Sequence, residues 1–217
     1  MAKDNSFKFL DSNYSLLNYT DGRPLEEIDA CLSQAKRHFH TMSARFVGYQ
    51  VNMDMDYTKL FEFLNISINN AGDPFIESNY GVNSRMMERP VLEFVADMFH
   101  AQNKNYWGYI TSGGSEGNIF AANLARTSLE FLSNDSNPGS DPPTPIAYFS
   151  EATHYSVPKA IDLLRIKSEV VPATPTEQID VPSLMAAILK NNPETHPPFI
   201  IANLGTAFAC AYDDVEE

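Results

Sequence analysis

Apolar residues recur at helical spacing in three places in the N-terminal half of the chain. Leu25, Ile28 and Ala35 share one face of a predicted helix, and residues 60–64 and 91–99 repeat the pattern. Between the second and third patterns, residues 69–74 read Asn-Asn-Ala-Gly-Asp-Pro. This run of turn formers predicts a loop between two helices.

From Tyr106 onward, short apolar runs alternate with helical patterns. This alternation is typical of βαβ units, in which helices cover both faces of a mainly parallel sheet. Predicted helices begin near Glu116, Tyr155 and Val181. The predicted strands are residues 108–111, 146–149, 169–171 and 199–203.

Two stretches lie outside this alternation. Residues 133–145 consist almost entirely of Ser, Asn, Asp, Gly, Pro and Thr, which predicts a mobile surface loop without a function. Residues 212–217 directly follow a predicted buried strand, with no pattern for a covering helix. Because such a sheet needs both faces covered, we expect another polypeptide or the rest of a longer protein to complete it.

Composition excludes several classes of protein. Among 217 residues, 15 are basic and 28 acidic, and the net charge of −13 repels nucleic acids and anionic membranes. The two cysteines are far apart, the histidines lack HExxH spacing, and no apolar stretch is long enough to span a membrane. We therefore expect a cytoplasmic α/β protein with no metal site and with neither a nucleic acid nor a membrane as partner.

The sharpest local motif is residues 111–118, which read Thr-Ser-Gly-Gly-Ser-Glu-Gly-Asn between a predicted strand and a predicted helix. Glycines allow the backbone amides to approach a ligand, and the first turn of a helix has N–H groups without partners. With the Ser115 hydroxyl, these groups suit a phosphate. From these eight residues alone, an ordinary helix cap in a tight turn fits equally well.

Two further polar motifs follow predicted strands. His154 comes after the second strand and Thr206 after the fourth. Because the carboxyl ends of parallel strands meet at one edge of the sheet, these motifs and the glycine motif should surround one crevice. For Asp213 and Asp214, a role in this crevice and an ordinary position in a solvated loop both remain open.

The order of these motifs resembles the pyridoxal-phosphate-dependent group II amino-acid decarboxylases, and within them the histidine decarboxylase branch and the related plant serine decarboxylases. The resemblance runs from about Gly48 to Asp214 and covers the N-terminal half of such an enzyme. Further stretches that carry it are residues 68–75, 107–109, 153–157, 164–168 and 203–206.

The resemblance implies pyridoxal 5′-phosphate as cofactor and assigns roles to four residues. Gly114 and Ser115 would bind the cofactor phosphate, and Thr206 would lie beside the cofactor. His154 would be the catalytic residue, stacking its ring on the pyridine face and contacting the amino-acid substrate.

The resemblance also implies an architecture. The chain would have the α/β fold of aspartate aminotransferase, fold type I, with an incomplete, mostly parallel sheet and flanking helices. Residues 1–60 would form an N-terminal helical arm for dimerisation, and residues 61–217 the first part of the large cofactor-binding domain. The full-length protein would be a homodimer.

The chain departs from the family pattern at several points. The lysine that binds the cofactor and the aspartate that pairs with the pyridinium nitrogen lie in the family's C-terminal half, and neither Lys159 nor Lys190 stands at the lysine's position. Ala207 replaces a second threonine, and Gly48-Tyr49-Gln50 replaces the usual Gly-Tyr-Pro.

Three hypotheses follow. The first is a decarboxylase that converts histidine to histamine and CO2, with serine or another amino acid as the alternative substrate. The second is a truncated, non-catalytic fragment. The third is another fold-type-I enzyme, either an aminotransferase or a carbon–sulfur lyase.

Overall fold

The computed structural model describes residues 22, 24–47, 52, 54–101, 106–136 and 143–216, without the side chains of residues 133–136. The Gly48-Tyr49-Gln50 stretch and residues 137–142 of the predicted surface loop lie outside the described residues. The chain divides into two compact units, Met1–Ser67 and Ile68–Glu217. No described helix has the length and apolar character needed to cross a membrane.

The described part of the first unit contains two helical segments. Helix α1, Leu25–Ser43, begins after Pro24 and carries two glutamates in its first turn, where the helix dipole favours negative charge. A 3₁₀ helix spans Thr58–Asn65. The Asp56 carboxylate accepts a hydrogen bond from the Thr58 amide at 2.9 Å. Both predicted helical segments are therefore confirmed, the second as the tighter 3₁₀ form.

The second unit contains a three-stranded sheet in the order β2-β1-β3. Its strands are β1 (Ile146–Ser150), β2 (Lys167–Val171) and β3 (Pro198–Ile201). Both β2 and β3 pair with β1 in parallel. The parallel sheet and three of the four predicted strands are confirmed.

Where the structure describes the second unit, four helices accompany the sheet. All four predicted helices are confirmed, and α3, α4 and α5 begin within two residues of the predicted starts. The helices are α2 (Arg85–Met98), α3 (Gly114–Ser136), α4 (Ser156–Leu163) and α5 (Val181–Lys190).

Alternate residues of β1 face opposite sides of the sheet and form two hydrophobic clusters. On one side Ala147 and Phe149 pack with Val157 and Ile161 of α4 and with Ala122 of α3. On the other side Ile146 and Tyr148 pack with Val171, Ile179 and Leu184. All five residues of β1 are buried. The central strand therefore has helices on both faces, which confirms the α/β class.

Two predictions of secondary structure are wrong. Residues 108–111 form no strand, because the Ile110 amide donates to the Glu88 carboxylate at 3.1 Å and not to a neighbouring strand. The predicted loop 133–145 begins too early, because the backbone of α3 stays helical through Ser136.

Candidate functional site

Helix α3 begins at Gly114, and the two glycines at its start border open space. A Cβ atom placed on Gly113 or Gly114 would meet nothing within 4 Å. Among the described residues, the amides of Gly114 and Ser115 have no hydrogen-bond partner. Unpaired N–H groups beside open space fit a phosphate group, because the helix N-terminus carries a partial positive charge.

Glu116 fixes the approach to this helix. Its carboxylate accepts from the Ser112 amide at 2.7 Å, from the Ser112 hydroxyl at 2.6 Å and from the Tyr109 hydroxyl at 3.2 Å. The two bonds from Ser112 hold the pKa of Glu116 below its ordinary value. Partial burial and then the bond to Glu116 raise the pKa of Tyr109. The start of the glycine motif, at Ser112, is thus held in place by Glu116.

His154 is joined to α3 by two polar side chains. Its Nδ1 atom lies 2.7 Å from the hydroxyl oxygen of Ser156, the first residue of α4. Asn118, one turn into α3, donates from Nδ2 to the same Ser156 oxygen at 2.8 Å. The His154 ring also lies 4.2 Å from the Tyr155 ring, centroid to centroid. The motif after β1 and the start of α3 therefore belong to one hydrogen-bonded network.

His154 and Thr206 line the same cavity, which has a volume of about 500 Å³. Its walls come from the segments after all three strands. The segment after β1 contributes residues 151–155, the segment after β2 contributes Ala173, Thr174 and Glu177, and the segment after β3 contributes residues 206–208. The carboxyl edge of the sheet therefore forms a concave site, as the topology of parallel sheets predicts.

Thr206 lies in a tight turn after β3. Gly205 precedes it with φ +101°, a backbone conformation that residues with a side chain rarely adopt. The Thr206 amide donates to the Ala211 carbonyl, and the Ala211 amide donates to the Thr206 hydroxyl oxygen, both at 3.0 Å. The hydroxyl proton of Thr206 therefore remains available for another acceptor.

Asp213 joins the segments that follow β2 and β3. The carboxylate is buried and accepts from the Ile179 amide at 2.7 Å and the Asn203 amide at 2.6 Å. It also accepts from the Asn203 side chain at 3.1 Å, and that side chain donates to Thr153. Asp213 is therefore a buried acceptor and not a solvated loop residue, whereas Asp214 is exposed.

The predicted site residues are only partly brought together. His154 and Thr206 share the cavity, whereas Gly114 and Ser115 are not among its lining residues and connect to it through Asn118. Residues 68–75 contribute to a separate cavity of about 740 Å³ against α2.

Sequence reasoning missed several groups at this site. Asn118 and Ser156 form the network around His154, and Glu151 and Thr174 lie in the cavity wall. Glu151 also accepts from the Ala173 amide at 3.1 Å, which joins the segments after β1 and β2. A signal was available for Glu151 and Thr174, because both lie just past the carboxyl end of a strand.

Comparison with known proteins gives a consistent assignment. Residues 34–217 match the pyridoxal-dependent decarboxylase conserved domain. Histidine decarboxylase of Morganella morganii is 42% identical over 171 residues, which cover 79% of this chain and 41% of that protein. Serine decarboxylase 2 of Oryza sativa subsp. japonica is 36% identical over 181 residues, which cover 83% of this chain and 36% of that protein. The chain thus spans about two fifths of the length of these relatives.

Among solved structures, L-methionine decarboxylase from Streptomyces sp. 590 superposes with a TM-score of 0.79 at 27% identity. The match covers 95% of this chain and 48% of that chain. It confirms the expected fold type I architecture. The family match, which takes in most of the chain, and the strand-edge cavity agree that the chain belongs to the pyridoxal-dependent decarboxylase family.

Proposed function

We propose that this chain is the N-terminal part of a pyridoxal-phosphate-dependent decarboxylase that converts histidine to histamine and CO2. One observation carries the proposal: the open start of α3 is hydrogen-bonded, through Asn118 and Ser156, to a histidine in the wall of the cavity that Thr206 also lines. The 42% identity to a histidine decarboxylase supports histidine as the substrate.

In this proposal the cofactor is held by groups of three segments. The free amides at Gly114 and Ser115 and the Ser115 hydroxyl bind the phosphate, whose negative charge the helix N-terminus stabilises. The His154 ring packs on the flat pyridine face. The Thr206 hydroxyl, which keeps its proton free, donates to a cofactor oxygen.

These positions separate the role of the cofactor from the roles of the residues. Pyridoxal phosphate, when bound, accepts the electron pair that remains on the α-carbon when the substrate carboxylate leaves as CO2. The residues of this chain orient the two molecules. His154 is the proposed catalytic residue, because it would contact both the cofactor and the substrate.

The family resemblance extends the proposal to the whole protein. We propose residues 1–60 as an N-terminal arm that contacts a second subunit, residues 61–217 as the first part of the cofactor-binding domain, and a cytoplasmic homodimer. The resemblance places the cofactor-binding lysine in the family's C-terminal half, so we expect decarboxylation only from the polypeptide that includes that half.

The activity can be tested on the complete polypeptide. It is incubated with pyridoxal 5′-phosphate and, separately, with each standard amino acid labelled at the carboxylate carbon, and released CO2 is counted. We expect CO2 and histamine from histidine. Absence of CO2 with all amino acids contradicts the proposal, as does a keto acid product, which indicates an aminotransferase.

Serine is the second candidate substrate, on the basis of the 36% identity to the rice serine decarboxylase. The same assay separates the two substrates. If serine releases CO2 and forms ethanolamine while histidine releases none, the substrate is serine and not histidine. The reaction class, decarboxylation, is then unchanged.

The phosphate site can be tested on residues 1–217 alone. Equilibrium dialysis compares pyridoxal 5′-phosphate with pyridoxal, which lacks the phosphate. Gly114→Val fills the open space and should weaken binding of the phosphate form about tenfold, which is about 1.4 kcal/mol, or more. Gly81→Val is the matched control, because its Cβ also meets nothing within 4 Å. Equal binding by both variants contradicts the phosphate site.

A further inference from the structure

We infer that Asn118 and Ser156 are positioning residues that hold the His154 ring with Nδ1 as an acceptor and Nε2–H as its free donor. The role of this donor rests on the proposed function: Nε2–H would donate to an anionic oxygen of the cofactor or substrate. The hydrogen-bonding pattern itself is a property of residues 1–217.

The backbone amide of Ser156 decides the direction of the network. This amide donates to His154 Nδ1 at 3.3 Å, and an amide nitrogen can only donate. Nδ1 must therefore carry the lone pair, and in a neutral imidazole the proton then resides on Nε2. The hydroxyl of Ser156, 2.7 Å from the same nitrogen, has to donate as well.

Asn118 supports the hydroxyl in that direction. Its Nδ2 amide donates to the Ser156 oxygen at 2.8 Å and occupies one of the oxygen's lone pairs. Ser156 is 5% exposed, so water has little access to the hydroxyl. A chain of donors therefore runs from Asn118 through Ser156 to Nδ1. No described residue is hydrogen-bonded to Nε2, and the ring lines the cavity.

Asn118→Asp reverses the direction of these hydrogen bonds with almost no change in the shape of the side chain. An ionised carboxylate only accepts, so the Ser156 hydroxyl donates a hydrogen bond to it, and the hydroxyl oxygen then accepts from Nδ1–H. Asn123→Asp is the matched control. Asn123 lies on the same helix, but its side chain accepts from Arg126 and is not part of the His154 network.

The measurement is the tautomer of His154 in residues 1–217 labelled with ¹⁵N-histidine. Long-range ¹H–¹⁵N spectra distinguish the two ring nitrogens, and the signals that disappear in His154→Gln identify His154. His196 is an internal reference of the opposite kind, because its Nδ1 lies 3.0 Å from the Thr144 carbonyl oxygen and must donate.

We expect His154 to be protonated on Nε2 in the unmodified chain. Asn118→Asp should lower the ratio of Nε2–H to Nδ1–H at least fivefold, which corresponds to one hydrogen bond of about 1 kcal/mol. Asn123→Asp should leave this ratio unchanged, and the signals of His196 should be the same in all variants. Ser156→Ala should also lower the ratio, and Ser156→Thr, which keeps the hydroxyl, should restore it.

Three results overturn the inference: Nδ1–H in the unmodified chain, equal ratios in Asn118→Asp and Asn123→Asp, or no effect of Ser156→Ala. If Asn118→Asp also shifts the His196 signals, the fold has changed and the Ser156→Ala and Ser156→Thr pair decides. Cofactor binding does not enter these spectra. Failure to bind pyridoxal phosphate with the expected tautomers overturns the proposed function and leaves the positioning role standing.

Discussion

Two neighbouring carboxylates, Asp213 and Asp214, have opposite environments. Asp213 is buried and accepts from three N–H groups, whereas Asp214 is exposed. Asp213→Ala leaves the amides of Ile179 and Asn203 without acceptors in a buried site. We expect it to lower the free energy of unfolding by about 3 kcal/mol.

Urea denaturation, with the midpoint and slope fitted together, measures this effect. Asp214→Ala is the control and should stay within about 0.5 kcal/mol of the unmodified chain. Equal midpoints for the two variants would show that Asp213 does not hold the strand-end segments together.

Gly205 provides a second prediction at the level of one residue. Its φ of +101° is unfavourable for any residue with a Cβ, and a Cβ there would lie 3.6 Å from the Tyr212 ring. Gly205→Ala should therefore destabilise the chain by about 1–2 kcal/mol. Gly81→Ala, without positive φ or a nearby atom, should be almost neutral by the same urea measurement. A neutral Gly205→Ala would mean that the turn before Thr206 can change its backbone conformation.

At the level of the element, the start of α3 depends on the charge of Glu116. Its pKa is lowered from 4.5 by hydrogen bonds from the Ser112 hydroxyl and amide. Because the folded-state pKa lies below the unfolded value, the stabilisation is fully present above the unfolded value. It is lost as the pH falls through the folded-state pKa. The contribution of Glu116 should therefore disappear in a window that begins near pH 4.5 and extends below it.

Thermal unfolding of the unmodified chain and of Glu116→Gln at a series of pH values tests this dependence. The unmodified chain should have the higher melting temperature at neutral pH, and the difference should shrink as the pH falls below 4.5. Glu130→Gln on the same helix is the control, because its carboxylate lies 4.0 Å from Arg126 and away from Ser112. A difference that is constant with pH would mean that the charge of Glu116 does not hold Ser112.

Elements with a strong local signal were predictable from the sequence. The buried strand Ile146–Ser150 is signalled by its apolar run. The start of α5 at Val181 is signalled by Asp180, an N-cap residue whose carboxylate accepts from the Ser183 amide. Residues 108–111 carry the same apolar signal without forming a strand, since a side chain 22 positions away satisfies the Ile110 amide. Helix α3 continues to Ser136 through Ser, Asn and Asp, which local propensity disfavours.

The candidate site was predictable only in part. His154 and Thr206 were identifiable because strand topology alone brings them to one edge of the sheet. Asn118 and Ser156 were not, since 38 residues separate them and a single hydrogen bond joins them. Sequence spacing does not encode such a contact.

At the scale of the whole molecule, two opposing forces act on residues 1–217. Many large apolar side chains are exposed, including Phe94 and Met98 of α2 at 63% and 58% and Phe208 at 98%. Apolar surface of this kind favours association. The net charge of −13 opposes it by mutual repulsion. The balance between the two should therefore depend on salt.

Salt weakens the repulsion and leaves the apolar attraction in place. The screening length falls from about 10 Å at 0.1 M to about 3 Å at 1 M. We expect sedimentation velocity to show mostly monomer at low salt and larger species at high salt. Replacing Phe94 and Met98 by serine should reduce the larger species. A monomer at both salt concentrations would mean that the exposed apolar side chains do not drive association, and dissociation at high salt would mean that charge pairs hold the copies together.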